Sequence, residues 1–173
     1  MHTYLIIITP IVRAIALALF VSHLFEEQGK PGKFREEFNA VFKALFGLKQ
    51  LENFPLSQKV NLWRNTVGLA VGGSALIIAS AWWPIIFAVF IGFIAADSLT
   101  HIWLSVKIGW RLTSGIRTTG LFYIPAVLLY LFFAAKPNYW LWAAAAGAFA
   151  LLFTYFQAAW QASQEKKHEI QFS

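Results

Sequence analysis

Residues 84–106 read PIIFAVFIGFIAADSLTHIWLSV, an apolar run that is interrupted only near its end by two ionisable side chains, Asp97 and His101. A transmembrane helix needs about 20 mostly apolar residues. Backbone polar groups in lipid must be satisfied within their own segment, so such a run is expected to be helical. Trp82 and Trp83 precede Pro84, and proline suits the first turn of a helix. The run therefore predicts a membrane-spanning helix that begins at Pro84.

Similar apolar stretches flank this one on both sides. We predict spans at about residues 4–27, 66–81, 84–106, 118–135 and 138–161. The 173 residues are 58% hydrophobic and 13% charged, against roughly 25% charged residues in soluble domains. The fold class is thus all-α, a polytopic membrane helix bundle of about five transmembrane helices, with residues 1–173 forming one transmembrane domain. The chain has no cysteine, which excludes disulfides, thiolate metal ligands and a cysteine nucleophile.

The basic residues alternate between dense and sparse loops. The dense connections and the tail carry Lys30, Lys33, Arg35, Lys43, Lys49, Lys59, Arg64, Lys107, Arg111, Arg117, Lys166 and Lys167. The loop between the second and third spans carries none, and the loop before the fifth carries only Lys136. Cytoplasmic loops are enriched in Lys and Arg. We therefore expect a bacterial-type inner-membrane protein with its N-terminus outside and its C-terminus in the cytoplasm. The net charge of +6 is attributed to the Lys and Arg residues of these cytoplasmic loops. The lipid bilayer is therefore the expected partner, and nucleic acid is not.

Arg13 lies near the middle of the first predicted span. Thr9 and Pro10 offer an alternative helix start, as a cap and a first turn. In that case Arg13 would lie near the outer interface, and residues 1–9 would form an extra apolar segment against the bundle.

The connection after the first span contains a second kind of helix. Phe34, Phe38, Val41, Phe42, Leu45 and Phe46 recur at helical spacing, a pattern typical of an amphipathic helix. Gly47 provides a C-terminal stop. We predict an interfacial helix at about residues 33–46 that covers the entrance of the site described next. The alternative is a short helix packed on the loops.

Five ionisable residues form the candidate site. His23, Glu26 and Glu27 share one face of the first span, and Asp97 and His101 share one face of the third. The predicted topology places both groups near the cytoplasmic boundary. Imidazole with carboxylate suits zinc or non-haem iron, so His23, Glu26 and His101 are predicted to hold a divalent transition metal, zinc or iron. Glu27 or Asp97 would be a further ligand or the general base.

Two arginines at similar depth, Arg64 and Arg117, are candidates for neutralising an anionic group of a substrate, although both also fit the loop charge bias. The cluster itself has structural alternatives. Glu26 and Glu27 would be solvated if they lie beyond the boundary, and intramembrane histidines can be satisfied by hydrogen bonds between helices. Asp97 would then pair with Arg13 or one of these two arginines.

The segment His23-Leu-Phe-Glu26-Glu27 at the end of an apolar helix resembles the signature of the HXXEE family of small membrane proteins. A later block also resembles that family: Asp97-Ser-Leu-Thr-His101-Ile, Ser105, Thr113-Ser-Gly115-Ile-Arg-Thr118 and Pro125. The chain departs from the family pattern with Asp97 in place of Asn and Ser114 in place of Pro. The resemblance runs from about residue 15 to 130. It implies that His23, Glu26, Glu27 and His101 form one site, and it implies no particular reaction.

These features lead to three hypotheses. The first is a membrane-embedded, metal-dependent enzyme, a hydrolase or oxidase, that acts on an apolar or lipid-like substrate at the cytoplasmic side. The second is a metal-free acid–base isomerase or cyclase of an isoprenoid-like substrate, because carboxylic acids in apolar pockets can donate protons. The third is a transporter or proton relay. The third is disfavoured because the ionisable residues cluster near one face of the membrane, whereas a conduction path needs polar groups across its whole thickness.

Overall fold

The computed structural model describes residues 2–28, 32–49, 52–109, 115–130 and 137–171, and these parts of the chain are helical without any strand. Six helices follow one another. They are α1 His2–Gln28, α2 Lys33–Phe46, α3 Gln58–Ala79, α4 Pro84–Lys107, α5 at residues 116–129 and α6 Pro137–Gln171. The all-α prediction is confirmed. Within α3 and α5 the residues Arg64–Gly73 and Thr119–Tyr123 form wider, π-helical turns, a feature often found near functional sites.

Three of these helices are long and apolar enough to cross a membrane: Gln58–Ala79, Pro84–Lys107 and Asn138–Lys167. The prediction of a membrane protein therefore agrees with the structure, while the count of five spans remains a prediction. The first predicted span lies within α1. The fourth, 118–135, begins in α5, and residues 131–135 lie outside the described residues. The second predicted span, 66–81, corresponds to α3, which starts earlier, at Gln58. The Ser57 hydroxyl accepts a hydrogen bond from the Val60 N–H there.

The break between α3 and α4 falls at the predicted place. Trp83 has an extended backbone (φ −127°, ψ 91°), and Pro84 occupies the first turn of α4. Proline has no N–H to satisfy there and its fixed φ suits the first helical turn. The two helices are thus joined by a tight turn, which places the end of α3 beside the start of α4.

Arg13 contacts this same end of the bundle. Helix α1 is continuous from His2, so Pro10 lies inside it and does not start it. Nη2 of Arg13 donates to the carbonyl of Ser80, at 2.6 Å. This carbonyl follows the last residue of α3, where helical carbonyls lack partners within the helix. Arg13 therefore satisfies the C-terminal end of α3, far along α1 from His23.

Helix α4 is the central helix of the bundle. Half of its most apolar 18-residue stretch is buried inside the protein, compared with 17% of the corresponding stretches of α3 and α6. Gly92 packs against the backbone carbonyl of Ala143, and Gly147 lies against Gly92 from the same side. Small residues allow helices to approach this closely. The contact holds α4 against α6 and so fixes the helix that carries Asp97 and His101.

Helix α2 matches the predicted amphipathic helix. It spans Lys33–Phe46 and ends at Gly47, whose positive φ of 67° suits a C-terminal stop. Phe34, Phe38 and Phe42 are buried. They form a core with Leu48, Phe54, Leu56, Leu104, Ala158 and Ala162, and thus pack on α4 and α6. An interfacial position of α2 in a membrane remains a prediction.

A buried asparagine ties the chain after α2 to this helix. The Asn39 side-chain amide donates to the carbonyls of Glu52 and Leu56, each at 3.0 Å, and its Oδ1 accepts from the Leu56 N–H at 3.0 Å. All the hydrogen bonds of this buried polar group are thus made to backbone. The segment that leads into α3 is therefore held against α2.

Candidate metal centre

Helices α1 and α4 bring four donor side chains together at one end of the bundle. His23 and Glu27 lie four residues apart on α1, and Asp97 and His101 lie four apart on α4, so each pair shares a helix face. One donor atom from each residue lies within 4.8 Å of the other three. The imidazole rings of the two histidines are 5.0 Å apart between centroids. The structure thus places His23 and His101 side by side, and their role in one functional site remains a prediction.

Both histidines direct Nε2 at the two carboxylates. His101 Nε2 lies 3.1 Å from Glu27 Oε1 and 3.7 Å from Asp97 Oδ2. His23 Nε2 lies 2.9 Å from Asp97 Oδ2 and 3.8 Å from Glu27 Oε1. The side chains of His23, Glu27 and His101 are no more than 2% exposed, whereas that of Asp97 is 35% exposed. Asp97 is therefore the side of the cluster that remains accessible.

These distances fit a small metal ion. Metal–ligand bonds of about 2.0–2.1 Å to nitrogen and oxygen separate neighbouring donors of a tetrahedral site by roughly 3.3 Å. The four nitrogen–oxygen distances, from 2.9 to 3.8 Å, lie on both sides of that value. Two imidazoles with two carboxylates are a donor set that suits zinc or iron. The residues can thus hold one ion with little rearrangement of their side chains.

Several atoms at the centre lack hydrogen-bond partners among the described residues. They are His23 Nε2, Glu27 Oε2, Arg64 Nη2 and His101 Nδ1. Asp97 Oδ2 is only 2.9 Å from His23 Nε2, but this contact does not meet the geometry of a hydrogen bond. Buried polar atoms normally have a partner. His23 Nε2, which lies near both carboxylates without a hydrogen-bond partner, is therefore consistent with a ligand at the centre.

Glu26, predicted as a metal ligand, lies outside this group of four, and Glu27 takes its place. Because Glu26 is three residues after His23 and Glu27 four, the two carboxylates diverge around α1. Glu26 turns towards α5, where it accepts hydrogen bonds from the backbone N–H groups of Arg117 at 3.2 Å and Thr118 at 2.8 Å. An acidic side chain is stabilising at a helix N-terminus. Glu26 therefore caps the first turn of α5.

The two predicted arginines occupy different places. Nη2 of Arg64 lies 3.8 Å from Glu27 Oε2, and its guanidinium lies over the Phe34 ring at 4.9 Å. Arg64 is thus the cation nearest to the buried carboxylate. Arg117 approaches the site through its backbone N–H, described above, while the residue itself is exposed. The structure therefore brings Arg64, but not the Arg117 side chain, to the cluster.

Three further residues enclose the imidazoles, and none of them was predicted as a site residue. The Phe34 ring lies 5.2 Å from that of His101, and the Tyr123 ring lies 4.6 Å from that of His23. Gly115 has a φ of 88°, and a Cβ atom on it would lie 2.5 Å from Cε1 of His101 and 2.8 Å from Cε1 of His23. The backbone of Gly115 therefore covers both rings where no side chain fits.

No family model, no curated protein and no solved structure matches this chain. The fold and the site define its class by themselves. The described parts of the chain are helical, with three helices long and apolar enough to cross a membrane and a largely buried group, His23, Glu27, Asp97 and His101, that could hold a metal ion.

Proposed function

We propose that this chain is a membrane-embedded, metal-dependent enzyme that acts on an apolar or lipid-like substrate. The observation that carries the proposal is the convergence of four donor atoms within 4.8 Å of one another, inside a helical bundle whose outer helices are suited to lipid. Ionisable residues within a transmembrane segment are unfavourable by about 2.5–3.5 kcal/mol each on insertion scales, so they are retained mostly for function.

The charge of the cluster supports a bound cation. Glu27 is buried, and Asp97 lies beside it with its carboxylate turned to the same two imidazoles. Arg64 is the cation closest to Glu27, and its distance of 3.8 Å is long for an ion pair. A buried charge is strongly unfavourable unless it is paired or coordinates a metal. A divalent ion among the four donors compensates both carboxylates and leaves Arg64 available to a substrate.

The donor set supports two reactions. Zinc held in this way would supply hydrolytic chemistry, and iron would supply oxidation. His23, Glu27 and His101 are the three buried donors, so we assign them as the permanent ligands. Asp97 is the accessible member and is assigned either as a fourth ligand or as the general base. Arg64 is assigned to an anionic group of the substrate, such as a carboxylate or phosphate.

The membrane position extends this proposal. The loop charge pattern supports five spans with the N-terminus outside and the C-terminus in the cytoplasm, in a bacterial-type inner membrane. The ends of α1 and α4 that carry the site would then face the cytoplasmic boundary, where a lipid headgroup can reach Asp97. The resemblance to the HXXEE family supports His23, Glu26, Glu27 and His101 as parts of one site.

A metal-free acid–base enzyme is the second candidate. One contact favours it: His101 Nε2 and Glu27 Oε1 form a direct hydrogen bond of 3.1 Å. This pair and the neighbouring pair of His23 and Asp97 provide imidazole and carboxylate groups that can exchange protons with a substrate. Isomerisation or cyclisation of an isoprenoid-like molecule is the corresponding reaction.

Elemental analysis of the full chain, purified in detergent without added metal, tests the proposal. We expect about one zinc or iron per chain in the native protein, and much less in Glu27→Gln, because the substitution removes a charged ligand. Glu52→Gln is the matched control, since Glu52 is exposed on a loop. Absence of a stoichiometric metal, also after equilibration with zinc or iron salts, would refute the metal-dependent function and favour the acid–base alternative.

A further inference from the structure

The hydroxyl of Thr118 lies at the junction of three groups. Its Oγ1 atom is 2.7 Å from His23 Nδ1, 2.7 Å from Glu26 Oε2 and 3.1 Å from the Gly115 carbonyl oxygen. Thr118 itself is buried. This hydroxyl therefore links the imidazole of His23 on α1 to the carboxylate of Glu26, one helical turn further along the same helix.

The position of the single hydroxyl hydrogen follows from these contacts. An ionised carboxylate only accepts hydrogen bonds. If the hydroxyl donated to the Gly115 carbonyl, its oxygen would face Glu26 Oε2 at 2.7 Å with lone pairs on both sides. The hydroxyl therefore donates to Glu26. Its oxygen is then left as an acceptor for His23, whose Nδ1 must carry the hydrogen.

We infer that Glu26 and Thr118 are a positioning pair that holds His23 as the Nδ1–H tautomer, with the lone pair of Nε2 directed into the cluster of four donors. Metal-binding histidines commonly donate their other N–H to an oxygen in this way, which fixes the ring and raises its basicity. The tautomer stands on the hydrogen-bond geometry alone. Its effect on metal affinity rests on the proposed function.

Asp97 works against this arrangement. Its Oδ2 lies 2.9 Å from His23 Nε2, so the carboxylate would favour a hydrogen on Nε2, which blocks metal binding there. The Nδ1 contact with Thr118 meets hydrogen-bond geometry, whereas the Nε2 contact with Asp97 does not, although it is 2.9 Å long. With a metal ion between Nε2 and the carboxylate, the Nδ1–H tautomer would satisfy both sides of the ring. Removal of the Thr118 hydroxyl should therefore release the ring to the opposite tautomer.

Substitutions at Thr118 test the inference on the full chain in detergent. Thr118→Val keeps the side-chain shape and removes the hydroxyl, and we expect its zinc affinity to fall by about 10–100-fold in a chelator competition. Thr118→Ser restores the hydroxyl and should bind zinc nearly as the native chain does. Thr119→Val is the matched control, because Thr119 is buried and its Oγ1 has no hydrogen-bond partner in the described part of the chain. Equal affinity of the Thr118→Val and Thr119→Val variants would overturn the role in metal binding.

The ¹⁵N spectrum of labelled histidine in the metal-free protein tests the tautomer itself. The His23 signal, assigned by comparison with His23→Ala, should show a protonated Nδ1 in the native chain and a shift towards protonated Nε2 in Thr118→Val. Native protein whose His23 Nδ1 carries no hydrogen would overturn the inference. If no metal binds but the expected tautomer is found, the proposed function fails and the positioning pair stands. Should Thr118→Val not fold, Glu26→Ala removes the other member of the pair and is expected to give mixed tautomers.

Discussion

The imidazole rings of His23 and His101 lie 5.0 Å apart between centroids and nearly perpendicular, at 84°. The two helices that carry them are adjacent at this end of the bundle, and each ring has a carboxylate one turn away on its own helix. Glu27 Oε1 forms a hydrogen bond with the histidine of the other helix, His101. Asp97 Oδ2 likewise lies closer to His23, on the other helix, than to His101. The four side chains therefore interlock across α1 and α4.

This interlocking predicts that the two histidines act as one unit. His23→Ala and His101→Ala should each abolish most metal binding, and the double variant should be little worse than either. Residues that share a network give non-additive effects, whereas independent sites give additive ones. The measurement is zinc affinity in a complete double-mutant cycle. Additive losses across the cycle would show that the histidines do not share an ion.

Substitution of Gly115 should destabilise the protein and weaken metal binding, because the Gly115 backbone lies against both imidazoles. Gly115→Ala places a methyl group against both imidazoles, and overpacking of this kind is destabilising by about 1–3 kcal/mol. The positive φ adds about 1–2 kcal/mol. Gly109→Ala is the control, because Gly109 has a similar φ of 83° and open space around it. Thermal unfolding and zinc affinity should both fall further in Gly115→Ala than in Gly109→Ala, and equal losses would contradict the contact.

The Arg64 side chain should contribute most to the stability of the fold when the site holds no metal. In Arg64→Ala the buried Glu27 loses its nearest cation, and removal of one partner from a buried pair is strongly destabilising. A divalent ion would replace the missing charge, so added zinc should raise the unfolding temperature more in Arg64→Ala than in the native chain. Arg35→Ala serves as control, since the Arg35 guanidinium donates to the Glu52 carbonyl and to Asn53 Oδ1 on the following loop. Equal zinc-induced shifts in all three proteins would count against this role of Arg64.

The phenylalanine stripe of α2 is expected to cover the site. Phe38 and Phe42 are buried and stacked at 4.5 Å, so their replacement by Asp places charges in an apolar core, which is strongly unfavourable. We expect α2 to detach, with faster proteolysis at residues 47–57 and impaired turnover of long-chain substrates. Leu45→Asp, at an exposed position of the same helix, is the control. If the stripe variants keep both the protease resistance and the turnover, α2 is not a lid.

The topology prediction can be tested without background labelling, because the chain contains no cysteine. Single cysteines at Lys49 and Lys167 should resist an impermeant maleimide applied to intact cells and react after lysis. A cysteine at Lys136 should react in intact cells, as should one added at Met1; both of these residues lie outside the described parts of the structure. Labelling of the Lys49 position from outside would refute the proposed orientation.

Much of the fold follows from the sequence because lipid-compatible helices leave a clear apolar pattern. The start of α4 at Pro84 and the bounds of α2 agree with the prediction. The start of α3 does not, because the apolar pattern begins only at about residue 66, whereas the helix already includes the polar residues Asn61, Arg64 and Asn65. Polar residues on one face do not interrupt a helix when that face turns to the protein interior.

For the site, helical periodicity was sufficient to pair His23 with Glu27 and Asp97 with His101. It could not decide between Glu26 and Glu27, since both lie about one turn from His23 and their directions depend on the rotation of α1 in the bundle. The contributions of Gly115 and Tyr123 depend on the approach of α5, which no local pattern indicates. The one signal in the sequence is the block of residues 113–118, which resembles the HXXEE family. That resemblance does not indicate that Gly115 lies against the histidines.

The close packing of Gly92 on Ala143 has a consequence for ion selectivity. The α4 backbone touches that of α6 there, so this contact restricts rotation and sliding of α4, which carries Asp97 and His101. Ions of different radius require different donor spacings. We expect the adjustment to come mainly from α1, within the limits that the contacts of His23 and Glu26 with Thr118 allow. The freedom of a single helix would thus determine which ions the protein accepts.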